Sequence, residues 1–332
     1  MSLQRGRRIR WDRFGASGGE KTAVPDRPGL RSVAWWAATF CAVSVLFHRF
    51  LVVPVPYGIM LYGVVVGCIN ALVAVGLILV YRSNRIINFA AAEIGVLGAI
   101  VFEKLYRNYN VPWAFAFVAG VLASTLLAGA FERVLIRRFE SSPRLILTVA
   151  TLGLAELAVG ASAGASAVLS PKGKKLPLTA GIVTWLSHYH LRIAGERFDG
   201  NALLLAGVMP LVVFGLGLFL RRSDVGVAMR ASAESQERAR LLGVPVARLS
   251  TIAWLVAGAL AGLGAVLRSP VVGTVAGGSL QGPGLLLRAL AACVIAGFED
   301  VGTAVLAALV LGAVEQGSSM PTPARRSWTW ST

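Results

Sequence analysis

Of 332 residues, 56% are hydrophobic and 14% charged, against about 25% charged in a typical soluble domain. This composition excludes a water-soluble globule, because several apolar runs reach the ~20 residues needed to cross a bilayer and too little polar surface remains to coat them. The formal net charge of +16 raises nucleic acid as a partner. The basic residues, however, gather in short loops beside apolar runs, where Lys and Arg fix orientation in a membrane, so no nucleic-acid partner is expected.

Residues 1–31, rich in Arg, Gly and Ser, read as a disordered basic cytoplasmic tail. Within it "GASGGEKT", Gly15 to Thr22, superficially resembles a phosphate-binding loop, but Glu20 stands where a glycine must precede Lys21 and no apolar strand leads in. Spans are predicted at Ser32 to Val53, Tyr57 to Tyr81, Asn88 to Leu105, Val111 to Leu135, Leu145 to Leu169, Asn201 to Leu220 and Thr251 to Leu267. From Gly284 to Val314 two apolar arms flank "GFEDVG", which reads as a break within the bundle or a tight turn of a hairpin. The expectation is an all-α, polytopic transmembrane helical bundle of about eight spans. It occupies residues 32–315, with a short polar tail over 316–332.

With the N-terminus inside, "RSNR" (Arg82 to Arg85), "RRFESSPR" (Arg137 to Arg144) and the insert Arg221 to Ser250 all fall on the cytoplasmic side, as their arginines require. Small residues recur four apart at Gly63, Gly67 and Ala71, at Gly160 and Gly164, and at Gly258 and Gly262. Lipid-embedded helices gain contact through such close backbone approach, so all three sets are expected to pack. Cys41, Cys68 and Cys293 lie inside apolar runs and His48, His188 and His190 form no ligand pattern, so neither metal nor cofactor is expected.

The insert is the polar anomaly. In "ESQERARLLGVP" Glu234 and Arg238 stand four apart in the favourable order, Gly243 follows Leu242 where a left-handed cap is wanted, and Pro245 forbids continuation. The result is a cytoplasmic helix of two to three turns. A helix that short is marginal without a partner.

"ERARLLG", Glu237 to Gly243, resembles the EAA-x-x-x-G loop of ATP-binding-cassette importer permeases. The stretches Gly76 to Ala99 and Gly226 to Leu267 are similar to branched-chain amino acid permeases of the LivH and LivM type. That resemblance implies a cell (inner) membrane permease subunit moving branched-chain or related small amino acids. Its implied partners are two cytoplasmic ATPase subunits, a second permease subunit and an extracytoplasmic solute-binding protein. Glu237, Ala239, Leu242 and Gly243 would then form the ATPase-coupling interface. The chain carries no Walker sequence and is not expected to be an enzyme. Two departures stand out: Ala91 and Ala92 precede Glu93 where relatives carry a polar residue and glycine, and the polar stretch from Gln316 replaces a further apolar span. The second feature also fits a truncated, non-functional paralogue.

Asn88 and Glu93 lie in a family-like signature read as near a membrane entrance, with Asn88 favoured as a helix cap. Glu156, about twelve residues into a span, costs roughly 2.5–3.5 kcal/mol at mid-depth and so is expected to face the interior. Its spacing to Gly160 and Gly164 places it on their face. Arg288 is its expected counter-ion, in a buried pair or along the translocation path. The rival class is an ion-driven secondary transporter or channel using Glu156 and Arg288. Uptake that survives loss of the ATPases but collapses with an ion gradient would mark it.

Overall fold

The computed structural model describes residues 57–139, 142–170, 188–193, 196–234, 245–272 and 281–318, with Ala239, Leu241 and Gly243 of the insert. These all belong to one compact unit. The expected tail 1–31, the first span at 32–53, Cys41, His48 and the stretch 319–332 lie outside the described residues.

The helices are α1 (Tyr57–Asn84), α2 (Ala91–Asn108), α3 (Trp113–Phe131, continued by a π-helical turn Glu132–Ile136), α4 (Arg144–Val168), α5 (Gly200–Arg222), α6 (Asp224–Glu234), α7 (Val246–Val272), α8 (Gln281–Ile295) and α9 (Val301–Ser318). Among the described residues six segments are long and apolar enough to cross a membrane, and Gly282–Ile295 is a shorter apolar helix. One small departure from an all-α chain precedes α5. Strands β1 (His190–Ile193) and β2 (Glu196–Asp199) form an antiparallel ribbon in which Ile193 pairs with Glu196.

α1 is the central post, buried along nearly its whole length between α7 and α9. Its small residues explain how. A Cβ on Gly63 would stand 2.5 Å from the Gly312 carbonyl oxygen, and one on Gly67 would stand 2.7 Å from that of Ala308, so α1 and α9 meet backbone to backbone. Gly258 and Gly262 of α7 do the same against Ala128 and Ser124 of α3. Both glycine sets therefore pack as expected.

Gly160 and Gly164 do not: a Cβ on either meets nothing within 4 Å. The buried stripe of α4 is Leu147, Thr151, Leu154, Ala158 and Ser162, spaced at helical period. Residues two positions away from that stripe, among them Gly160 and Gly164, point the other way.

The region around "GFEDVG" is a helical hairpin. Gly297 and Phe298 both take left-handed backbone angles, φ 61° and 59°. Phe298 sits against Tyr81 with ring centroids 4.6 Å apart. Arg288 and Glu315 form an ion pair across the two arms. Residues 27 positions apart in a straight helix would lie about 40 Å apart, so the pair requires the chain to fold back.

Candidate functional site: the insert and the mid-membrane carboxylates

The basic loops converge at one end of the bundle. Glu132, almost fully buried, accepts a hydrogen bond from Thr251 Oγ1 at 2.9 Å and faces Arg137 Nε at 3.9 Å. Arg137 also donates to Thr251 Oγ1 at 3.2 Å. In the amide orientation that satisfies its neighbours, Asn84 accepts from Trp254 Nε1 at 2.8 Å and donates to Ser250 Oγ at 3.0 Å. These contacts bolt the first three turns of α7 to the ends of α1 and α3. Sequence reading passed over Glu132, although a carboxylate near the end of an apolar span is a signal that it is held by a partner.

The insert enters this end through α6. Ser223 Oγ accepts the Gly226 N–H at 3.0 Å, an N-cap with a glycine three positions on. A side chain at Gly226 would collide with the Leu220 backbone, which keeps the α5 to α6 turn tight. Met229 is buried with Leu79, Leu249 and Ala253, so α6 is anchored rather than solvated. Farther along, Ala239 is helical and buried, whereas Leu241 is helical and 87% exposed. Gly243 has φ +79°, the left-handed value its capping role requires, and the chain then enters α7 through Pro245. Glu237 and Leu242 lie outside the described residues.

The position of Glu93 along the bundle follows from two close helix approaches. On α7, Ala257 lies against Gly76 of α1, and Ala261, one turn farther on, lies against Gly95 of α2. Since α1 and α7 run antiparallel, Gly95 is level with about Leu72, which puts Glu93 about 15 Å inside the Asn84 end. That is roughly half of a ~30 Å hydrocarbon core. The chain therefore returns from Asn84 into the bundle and starts α2 part-way across. Such irregular backbone is tolerated at that depth only where its polar groups are satisfied.

Asn88 and Thr151 meet that requirement. Asn88 Oδ1 accepts the Ala90 N–H at 3.0 Å, bracing the lead-in turn just before α2. Thr151 Oγ1 donates to Ile87 O at 3.1 Å and accepts from Phe89 N at 3.2 Å. Glu93 follows in the first turn of α2, 5% exposed, with its carboxylate against Gly282 in the first turn of α8. Two helix N-termini thus face one carboxylate, a placement the partial positive charge of both favours.

The expected pair of Glu156 and Arg288 does not form. Arg288 is engaged by Glu315. Glu156 lies on the outward, exposed side of α4, about 200° around the helix from Leu154 and Ala158, because the phase of α4 is set by the Thr151 stripe rather than by its glycines. It stands within electrostatic reach of Glu93. Among the described residues no group of three or more His, Cys, Asp or Glu side chains is placed to hold a metal ion. Cys68 and Cys293 are buried, and Cys293 Sγ donates to Ala74 O at 3.3 Å.

The chain is 28% identical over 221 residues to the high-affinity branched-chain amino acid transport system permease protein BraD of Pseudomonas aeruginosa, covering 64% of this chain and 70% of the relative. It is 27% identical over 231 residues to LivH of Escherichia coli, covering 65% and 71%. Among solved structures, a metal-chelate-type ABC transporter in an inward-facing conformation matches with a TM-score of 0.47 at 17% identity, over 87% of this chain and 89% of that one. The model of the family described as branched-chain amino acid transport system, permease component, matches residues 59–329. The chain belongs to that family, and is a multi-pass membrane permease subunit of an ATP-binding-cassette importer.

Proposed function

We propose that this subunit carries branched-chain or related small amino acids across the cell (inner) membrane, with its N-terminus in the cytoplasm, and that two cytoplasmic ATPases drive it by gripping the Glu237 to Gly243 end of the insert. A second permease subunit and an external solute-binding protein complete the assembly. The substrate class follows the printed names of its relatives, whose permeases serve branched-chain amino acids.

The observation that supports the reading is the nearness of the insert to α7. The exposed Leu241, the left-handed Gly243 and Pro245 stand immediately before α7 in the chain. That helix packs on α1, α2 and α3 at once. A push on the insert is therefore delivered to the bundle centre, where packed helices move as rigid elements rather than deform. Ala239 and Leu242 would supply the apolar grip, Glu237 the polar one, and Gly243 the angle between lever and α7.

The test is reconstitution with the ATPases and binding protein. Glu237→Lys and Gly243→Leu are each expected to uncouple ATP hydrolysis from uptake while membrane insertion stays normal. Normal coupling in both variants would contradict the assignment.

A further inference from the structure

We propose that the outward face of the β1–β2 ribbon is the surface on which the extracytoplasmic solute-binding protein docks, through an acidic patch of that protein set against Arg192 and Arg197. The inference rests on the importer reading above and places one of its partners on this chain.

The ribbon stands at the far end of α5 from the insert. It leads directly into that helix (Gly200–Arg222), whose 23 residues carry the chain about 33 Å, enough to cross a ~30 Å hydrocarbon core. The two faces of the ribbon differ. Residues directly opposite in an antiparallel pair share a face, and successive pairs alternate between faces. Leu191 stands opposite Phe198, and Arg192 opposite Arg197. Phe198 is 2% exposed and belongs to the core, with its ring centroid 6.2 Å from that of Tyr62, whose hydroxyl donates to Val271 O at 3.0 Å. The Phe198 face is thereby fixed on the ends of α1 and α7. The opposite face carries the Arg192 and Arg197 pair and the His190 and Asp199 pair, with Arg192 and Asp199 both exposed.

Like charges directly opposite each other destabilise strand pairing, and a two-stranded ribbon is marginal on its own. Asp199, the carboxylate on that face, stands opposite His190 and not opposite either arginine. The segment around the ribbon has the same sign: residues 171–200 hold five Lys or Arg against two Asp or Glu, although basic residues are preferentially kept on the cytoplasmic side. Positive charge held there against both biases calls for an anionic partner arriving from outside. That partner is a protein rather than a lipid surface, because an element that lies on a membrane turns bulky apolar anchors towards it. The residues on this face are His190, Arg192, Arg197 and Asp199, and the exposed Leu191 is on the other.

The experiment uses the complete transporter in nanodiscs of neutral phosphatidylcholine and measures the Kd of its labelled solute-binding protein by fluorescence anisotropy. Arg192→Glu is expected to raise Kd about tenfold or more and to flatten its dependence on salt. It should do so without lowering the unfolding temperature, because a glutamate opposite Arg197 replaces repulsion by attraction. Arg192→Lys should bind nearly as the wild type does. A photo-crosslinking residue at the exposed Tyr189 should trap the binding protein. If Arg192→Glu does not fold, Arg197→Glu and the crosslink decide. An unchanged Kd in the folded glutamate variants overturns the surface. So do crosslinks confined to the second permease subunit or to phospholipid, which assign the ribbon to those neighbours. Leucine uptake by the wild-type transporter separates the two levels: uptake that needs the binding protein, with a failed docking result, removes the surface alone, and uptake that is absent or indifferent to the binding protein removes the importer reading beneath it.

Discussion

The carboxylate of Glu93 lies directly against the backbone of Gly282, so that the first turns of two partly spanning helices, α2 and α8, meet at mid-depth around one negative charge. No side chain fits at position 282 while Glu93 keeps this position. Gly282→Ala is therefore expected to destabilise the protein by about 1–3 kcal/mol through overpacking. Adding Glu93→Ala, which removes the obstructing carboxylate, should recover part of that loss. A double-mutant cycle read by thermal unfolding checks it, and strict additivity would show that the two residues do not meet.

Glycines on the two kinds of face should respond in opposite ways. Gly312→Leu places a large side chain where the Gly63 and Gly67 backbones already stand, and it should prevent stable folding. Gly160→Leu faces open space within this subunit and should leave its own unfolding temperature within a degree or two, equivalent to about ±0.5 kcal/mol. Expression and melting of the two variants purified side by side make the comparison.

The outward face of α4 presents Glu156 between Gly153 and Gly160. A carboxylate facing lipid at that depth costs roughly 2.5–3.5 kcal/mol, a penalty that cover by the proposed second permease subunit would reduce. Gly160→Leu, silent for folding, should then weaken assembly with that subunit, and Glu156→Leu should stabilise the isolated chain in lipid. Size-exclusion profiles of the co-expressed permeases test this, and unchanged assembly of Gly160→Leu would exclude α4 as the contact.

At the Asn84 end, Thr251→Val removes the donor at 2.9 Å from the buried Glu132 carboxylate and leaves it with Arg137 at 3.9 Å. A buried charge that loses a hydrogen bond costs about 1–3 kcal/mol. Because this contact ties α7 to α3 beside the insert, the variant should also lower uptake per ATP hydrolysed. Thr251→Ser, which loses only the γ-methyl and keeps the hydroxyl, should keep both properties.

Much of this was legible from residue order alone. The spans at α1, α3, α4, α5 and α7, the Gly63 and Gly258 contacts and the cap at Gly243 follow from length, small-residue spacing and the Gly-x-Pro stop, all local properties of the chain. Three features were not. The half-span at α2 looks like a full span because apolar content does not record where a helix begins in depth. The facing of Glu156 depended on the phase of α4, which the buried Thr151 sets through its bonds to Ile87 and Phe89, more than sixty residues away. The partner of Arg288 depended on which of the two arrangements expected at "GFEDVG" forms, and the fold-back at Gly297 and Phe298 is the one that brings Glu315 to it.

The most direct test places a photo-crosslinking residue at Leu241, the exposed apolar position of the insert, in the assembled transporter. Irradiation is expected to trap an ATPase subunit, with the yield changing between nucleotide-free and ATP-bound states. Adducts only to lipid or to the external binding protein, with no ATPase product in either state, would contradict the claim that the insert is the lever on which the motor acts.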